Sequence, residues 1–140
     1  MTRGEKRPWL QVELGDVNRI SRVVITNSDN NHHTKDVEIR VGFKRYTEGK
    51  DTGDINRNEI EENKICTTYK GPSKRREIVT LQCRRHIKGR YVSICGDSEN
   101  SGTDSRLSVA EVTVLGYVGN AQTIQSWHKK ISQLHYYNPN

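Results

Sequence analysis

Residues 25–42 read ITNSDNNHHTKDVEIRVG, a β-branched stretch, a polar loop and a strictly alternating stretch. The loop crowds Asp29, His32, His33 and Lys35 among serine and asparagine. Side chains of these types hydrogen-bond a ligand, hold a metal ion or face water. Adjacent residues on an extended chain point to opposite sides, which argues against His32 and His33 as a metal pair. Polar loops held between rigid strands are where all-β domains commonly bind a ligand.

A second group is basic. The segment CRRHIKGR carries Arg84, Arg85, Lys88 and Arg90 around an expected turn, with Lys74, Arg75 and Arg76 close by in sequence. Such a cluster either attracts sulfate or phosphate groups or forms a solvated basic turn. The three cysteines, Cys66, Cys83 and Cys95, lack the CxxC spacing of a zinc site. One disulfide plus one thiol, or three thiols, are both open on spacing alone. No carboxylate pair, Ser/His/Asp set, metal cluster or phosphate loop stands out, so the chain is not read as an enzyme.

The elements that must position these groups are strands. Alternating or β-branched runs occur at residues 9–14, 20–26, 37–43, 77–83, 89–95 and 107–117. In the third run Val37, Ile39 and Val41 share one face, with Glu38 and Arg40 on the other. Short alternating runs joined by polar, Gly- and Asn-containing connections predict an antiparallel sandwich or barrel. Two connections, 45–63 and 96–106, are long and hydrophilic. Beyond residue 117, Ile124, Trp127, Ile131 and Leu134 fall at helical spacing, which predicts a short amphipathic helix in the tail 118–140.

The chain has 140 residues and a net charge of +6, with only 31% hydrophobic residues. Its length suits one compact domain. Its charge favours anionic partners, but no aromatic residues interleave the basic ones, so no nucleic acid is expected. No apolar run approaches the ~20 residues of a membrane span, and no signal peptide is expected at the N-terminus. The core is thin, as it would be if part of the domain were missing.

In order and approximate spacing, PWLQVELGDVNRISRVVITN, DVEIRVG, LQC, GRYVSIC and LSVAEVTVLGY resemble the F-type lectins, or fucolectins. The resemblance spans residues 8–117 and implies an all-β, discoidin-like (F5/8 type C) antiparallel β-sandwich of the jelly-roll kind. Domains of that family begin well upstream of the Pro-Trp motif, so it also implies an N-terminally truncated copy. A sheet edge left open by missing strands would take a partner or a second copy of the chain.

The resemblance further implies a carbohydrate-binding module for fucosylated glycans. The family grips fucose with two basic residues and an upstream histidine, through ammonium and guanidinium donors and an imidazole acceptor. Here Lys35 matches the second basic position, Ser28 stands at the first, and the family's adjacent cysteines are absent from a shorter loop. Asp29 and His33 complete the expected sugar site, and Arg84, Arg85 and Lys88 are an expected anion site for sulfated glycans. Calcium is the implied cofactor, with Glu111 and the carbonyl of Ala110 as two of the six to eight oxygens it takes. Cys66 and Cys83 match a family disulfide, leaving Cys95 as buried filler. The family is extracellular. Its scaffold also serves protein interaction and adhesion, which is the alternative if fucose binding has been lost.

Overall fold

The computed structural model of the chain describes residues 8–30, 32–47, 57–97, 105–131 and 135–137. They form β1 (Trp9–Asn27), β2 (Val37–Gly42), α1 (Arg57–Glu61), β3 (Lys64–Tyr69), β4 (Ile78–Gly96), β5 (Val109–Val118), β6 (Gln125–Lys130) and β7 (His135–Tyr137). Every pairing is antiparallel. The strand order is β3-β2-β4-β1-β5-β6, with β7 on the free part of β1.

Two expected pairs of strands are each one long strand. Residues 9–14 and 20–26 both belong to β1, and residues 77–83 and 89–95 fall almost wholly in β4. The breaks in alternation mark bulges. Residues 14–17 of β1 stand against Arg90 alone, and residues 83–86 of β4 stand against Ser21 alone. Extra residues on one strand bend it and increase its twist. β1 and β4 therefore run from one layer of the sandwich into the other. They pair with each other along both halves; the outer half of β4 also pairs with β2 and that of β1 with β7, and the other half of β1 pairs with β5. At the crossing, a Cβ on Gly89 would lie 2.7 Å from the backbone nitrogen of Gly42. The close approach explains a glycine there.

The alternating positions do what the pattern predicts. Leu10, Val12, Ile39, Val41, Val92 and Ile94 of one layer meet Val23, Ile25, Leu81, Val112 and Val114 of the other in one buried cluster. The opposite face of β2 is also buried. Glu38 and Arg40 lie there as an ion pair, with Asn63 over Arg40. Trp9, Tyr46, Ile60 and Cys95 make a second small core, with the Trp9 and Tyr46 rings 6.0 Å apart, edge to face. Trp9 is thus a packing residue, and the Cys95 thiol is buried.

The tail corrects one expectation. Gln125–Lys130 is a strand on the edge of β5, not part of an amphipathic helix. Trp127 packs against the core while its neighbours Ser126 and His128 face out, a period of two. The open edge of β5 offers ladder hydrogen bonds that a helix could not use. Leu134 lies outside the described residues.

Candidate functional site

At the end of the sandwich where β1 closes, the side chain of Asn27 organises the 28–36 loop. Its Oδ1 accepts from Thr34 N (3.1 Å) and Thr34 Oγ1 (2.8 Å), and its Nδ2 donates to the carbonyl of His32 (3.1 Å). Thr34 Oγ1 in turn accepts from Ser108 N at 3.0 Å. Asn27 and Thr34 are fully buried, so these bonds form away from water and fix the loop to Ser108, the residue before β5.

The turn at residues 70–77 packs against the loop. Ser73 N donates to the Thr34 carbonyl, and Asp36 N to that of Lys70, each at 2.9 Å. Gly71 has φ +70°, and a Cβ there would lie 2.5 Å from the Thr34 carbonyl oxygen. Loop and turn could not approach this closely with any larger residue.

Each of the three expected sugar contacts has its own partner in this frame. His33 Nδ1 lies 2.6 Å from the carbonyl oxygen of Ser73. A carbonyl only accepts, so Nδ1 carries the hydrogen, and Nε2 of the neutral ring is left as an acceptor. Asp29 Oδ1 accepts from Arg75 Nε (2.9 Å) and Nη2 (2.6 Å), with Arg76 Nε at 3.4 Å. The hydrogen bond from Arg75 holds this carboxyl below its ordinary value of 3.8. All three contacts fall on Oδ1. Lys35 is tied through its main chain, donating to Arg106 O (3.1 Å) and accepting from Arg106 N (3.0 Å). Its ammonium has no ion pair among the described residues.

The other expected residues lie elsewhere. Glu111, next to Ala110 on β5, is 3.5 Å from His128 Nε2 on β6. Among the described residues no cluster of three or more His, Cys, Asp or Glu side chains could hold a metal. Glu111 and the Ala110 carbonyl supply too few oxygens for calcium by themselves. Cys66 and Cys83 are joined in a disulfide between β3 and β4.

Arg84, Arg85 and Lys88 are exposed on β4, in and beside its large bulge rather than around a hairpin turn. They line a cleft of about 820 Å³ away from the loop. Arg75 and Arg76, grouped with them by sequence, belong instead to the 70–77 turn. About seven residues of extended strand, roughly 20 Å at ~3.3 Å per residue, separate the two groups. Arg75, Arg76, Ser73 and Asn27 are the site residues that sequence reasoning missed. Only the basic run at 74–76 hinted at any of them.

Residues 1–94 match the NedA-like, galactose-binding domain family of the F5/8 type C group. The fold is similar to the crystal structure of an F-lectin (fucolectin) from the serum of striped bass, Morone saxatilis. The TM-score is 0.58 at 25% identity, over 84% of this chain and 34% of that chain. The chain thus spans about a third of that protein's length. No curated protein matches it. No helix among the described residues is long and apolar enough to cross a membrane.

Proposed function

The chain belongs to the NedA-like, galactose-binding domain family, and from that premise we propose that it is an extracellular carbohydrate-binding module whose sugar site is the 28–36 loop. The observation that carries the reading is the bond from His33 Nδ1 to the Ser73 carbonyl. It leaves Nε2 to accept from a sugar hydroxyl. Lys35 donates to the ring oxygen or a second hydroxyl. Asp29 accepts through Oδ2, since Oδ1 takes both bonds from Arg75.

The absent basic residue at Ser28 has a counterpart in space. Arg75 and Arg76 reach the loop from the neighbouring turn and bring guanidinium groups beside Asp29. Planar, multidentate donors of this kind suit vicinal hydroxyls. Fucosylated glycans are the expected ligands, by resemblance to the fucolectins. The Cys66–Cys83 disulfide fits an extracellular setting.

A glycan array carrying fucose- and galactose-terminated structures tests the reading, run with calcium and with chelator. Binding to fucosylated glycans that is lost in Lys35→Ala supports it, and a difference between the two runs assigns a role to calcium. Binding to galactose alone keeps the module and changes its sugar. No binding in either run overturns the reading and leaves a protein-interaction module on the same scaffold.

A further inference from the structure

The pairing of β4 with β2 ends at Gly42 and Tyr91, while its pairing with β1 continues to Ile78. Beside this point lies the cleft of about 820 Å³, lined by the end of β2, the start of β3 and the bulged part of β4. That size is in the range of sites that enclose a small molecule, about 300–1,000 Å³. Val41, Phe43, Ile65 and Ile87 supply its apolar lining. Phe43 is 61% exposed and Ile65 44%, and both line the cleft.

The rim is cationic. Lys64, Arg84, Arg85 and Lys88 all line the cleft, and none has an ion pair among the described residues. Lys44, also in the lining, is 3.6 Å from Glu59, and Glu62 is the lining's carboxylate. The positive charge of this wall is therefore largely uncompensated.

The walls are preformed. The Cys66–Cys83 disulfide joins the residue after Ile65 to the residue before Arg84, so it pins one wall to the other. Buried Asn63 holds a third segment. It accepts from Lys44 N and donates to Lys44 O, each at 2.9 Å, which fixes Phe43 and Lys44 beside α1. A site whose walls do not have to be ordered on binding keeps more of its contact energy.

We propose that this cleft is a second binding site, specific for sulfated oligosaccharides, with Arg84, Arg85, Lys88 and Lys64 holding sulfates and Phe43 and Ile65 packing against the C–H face of a sugar ring. A nucleic acid strand needs a row of aromatic platforms along a groove, and here Phe43 is the one apolar aromatic ring in the lining. The site shares no residue with the 28–36 loop, so it stands or falls independently of the sugar site proposed there.

Calorimetric titration of the whole chain with a heparin-derived hexasaccharide tests the assignment. Binding should weaken at least about tenfold, the scale of a lost charge-assisted contact, in Arg84→Ala/Arg85→Ala and in Lys88→Ala. Lys70→Ala/Lys74→Ala, which removes equal charge outside the cleft, should change it less than about twofold. Phe43→Ala should weaken binding with the salt dependence unchanged, because it removes a contact without a charge. His33→Ala/Lys35→Ala should bind as the wild type. No binding by the wild type overturns the proposal. So does equal loss in the Lys70/Lys74 variant, which marks diffuse attraction, or loss in the His33/Lys35 variant, which moves the sulfated ligand to the loop. Equal affinity for an oligonucleotide or polyglutamate of matched charge also overturns it, since the cleft would then read charge and not sugar.

Discussion

Asp29 and Arg75, separated by 46 residues in sequence, are joined through two hydrogen bonds from one guanidinium to a single carboxylate oxygen, at 2.6 and 2.9 Å. The pair closes the 70–77 turn over the outer end of the 28–36 loop. Together with the His33–Ser73 bond it ties that loop to the turn at two points.

Asp29→Asn should loosen the loop without unfolding the domain. Exposed ion pairs are screened by water, so the global unfolding midpoint should hardly move. Amide exchange across residues 28–36 should quicken. The pH dependence follows from the depressed carboxyl of Asp29. A group whose folded value lies below its unfolded value stabilises fully above the unfolded value, and that contribution fades as pH falls through the folded one. The wild-type loop should therefore exchange slowly at neutral pH and approach the variant's rate well below pH 3.8, the ordinary value. Identical exchange in the two proteins at neutral pH would refute the clamp.

Glu38 and Arg40 form a buried ion pair on the covered face of β2, and Arg40 Nη1 also donates to the Asn63 carbonyl at 2.6 Å. Arg40→Met removes the guanidinium from beside a buried carboxylate and should cost about 3–5 kcal/mol in urea unfolding. Glu38→Leu/Arg40→Met should cost clearly less than the Arg40 change alone, because no buried charge is then left behind. A double variant as unstable as the single one would place the pair's value in its shape rather than its charge.

The Cys66–Cys83 bridge spans 17 residues. A closed loop of that size stabilises by roughly 3 kcal/mol, chiefly by restricting the unfolded chain. Cys66→Ala/Cys83→Ala should lower the unfolding free energy by about that amount. Free-thiol titration of the denatured, unreduced wild type should find Cys95 alone. Three reactive thiols would contradict the bridge.

β6 covers the edge of β5, and β7 covers the first residues of β1. A chain ending at residue 120 would expose both edges, and open edges pair with other chains. Light scattering after size exclusion should show dimers or larger species for that truncation. A monomer of unchanged stability would mean that the tail strands protect nothing.

Much of this architecture is legible in the sequence, for a physical reason. Alternation reports the pleat, so Val37, Ile39 and Val41 could be assigned to one buried face before any pairing was known. Bulges were not legible, because residues 14–17 and 83–86 are extra only relative to a partner strand. The spacing of Ile124, Trp127 and Ile131 fits a helical period, and the edge of β5 that overrides it lies elsewhere in the chain. Tyr46 and Ile60 are lone apolar residues in a hydrophilic connection, with no periodicity to mark them as core beside Trp9 and Cys95. The same limit holds at the sites. His33, Lys35 and Asp29 stood out as a polar loop, whereas Arg75 and Ser73 reach it only through the folded turn. Arg84 and Arg85 stood out as charge, whereas Phe43 and Ile65 join them only across strands.

The central claim is that a sugar docks on the loop held by Asn27, Thr34 and Ser73, and amide and side-chain NMR titration of the labelled chain with a fucosylated oligosaccharide tests it most directly. The account predicts saturable shifts at His33, Lys35 and Asp29 and on the 70–77 turn, with residues 84–88 unmoved. Shifts confined to residues 41–44 and 84–88, or no shifts at saturating sugar, would contradict it.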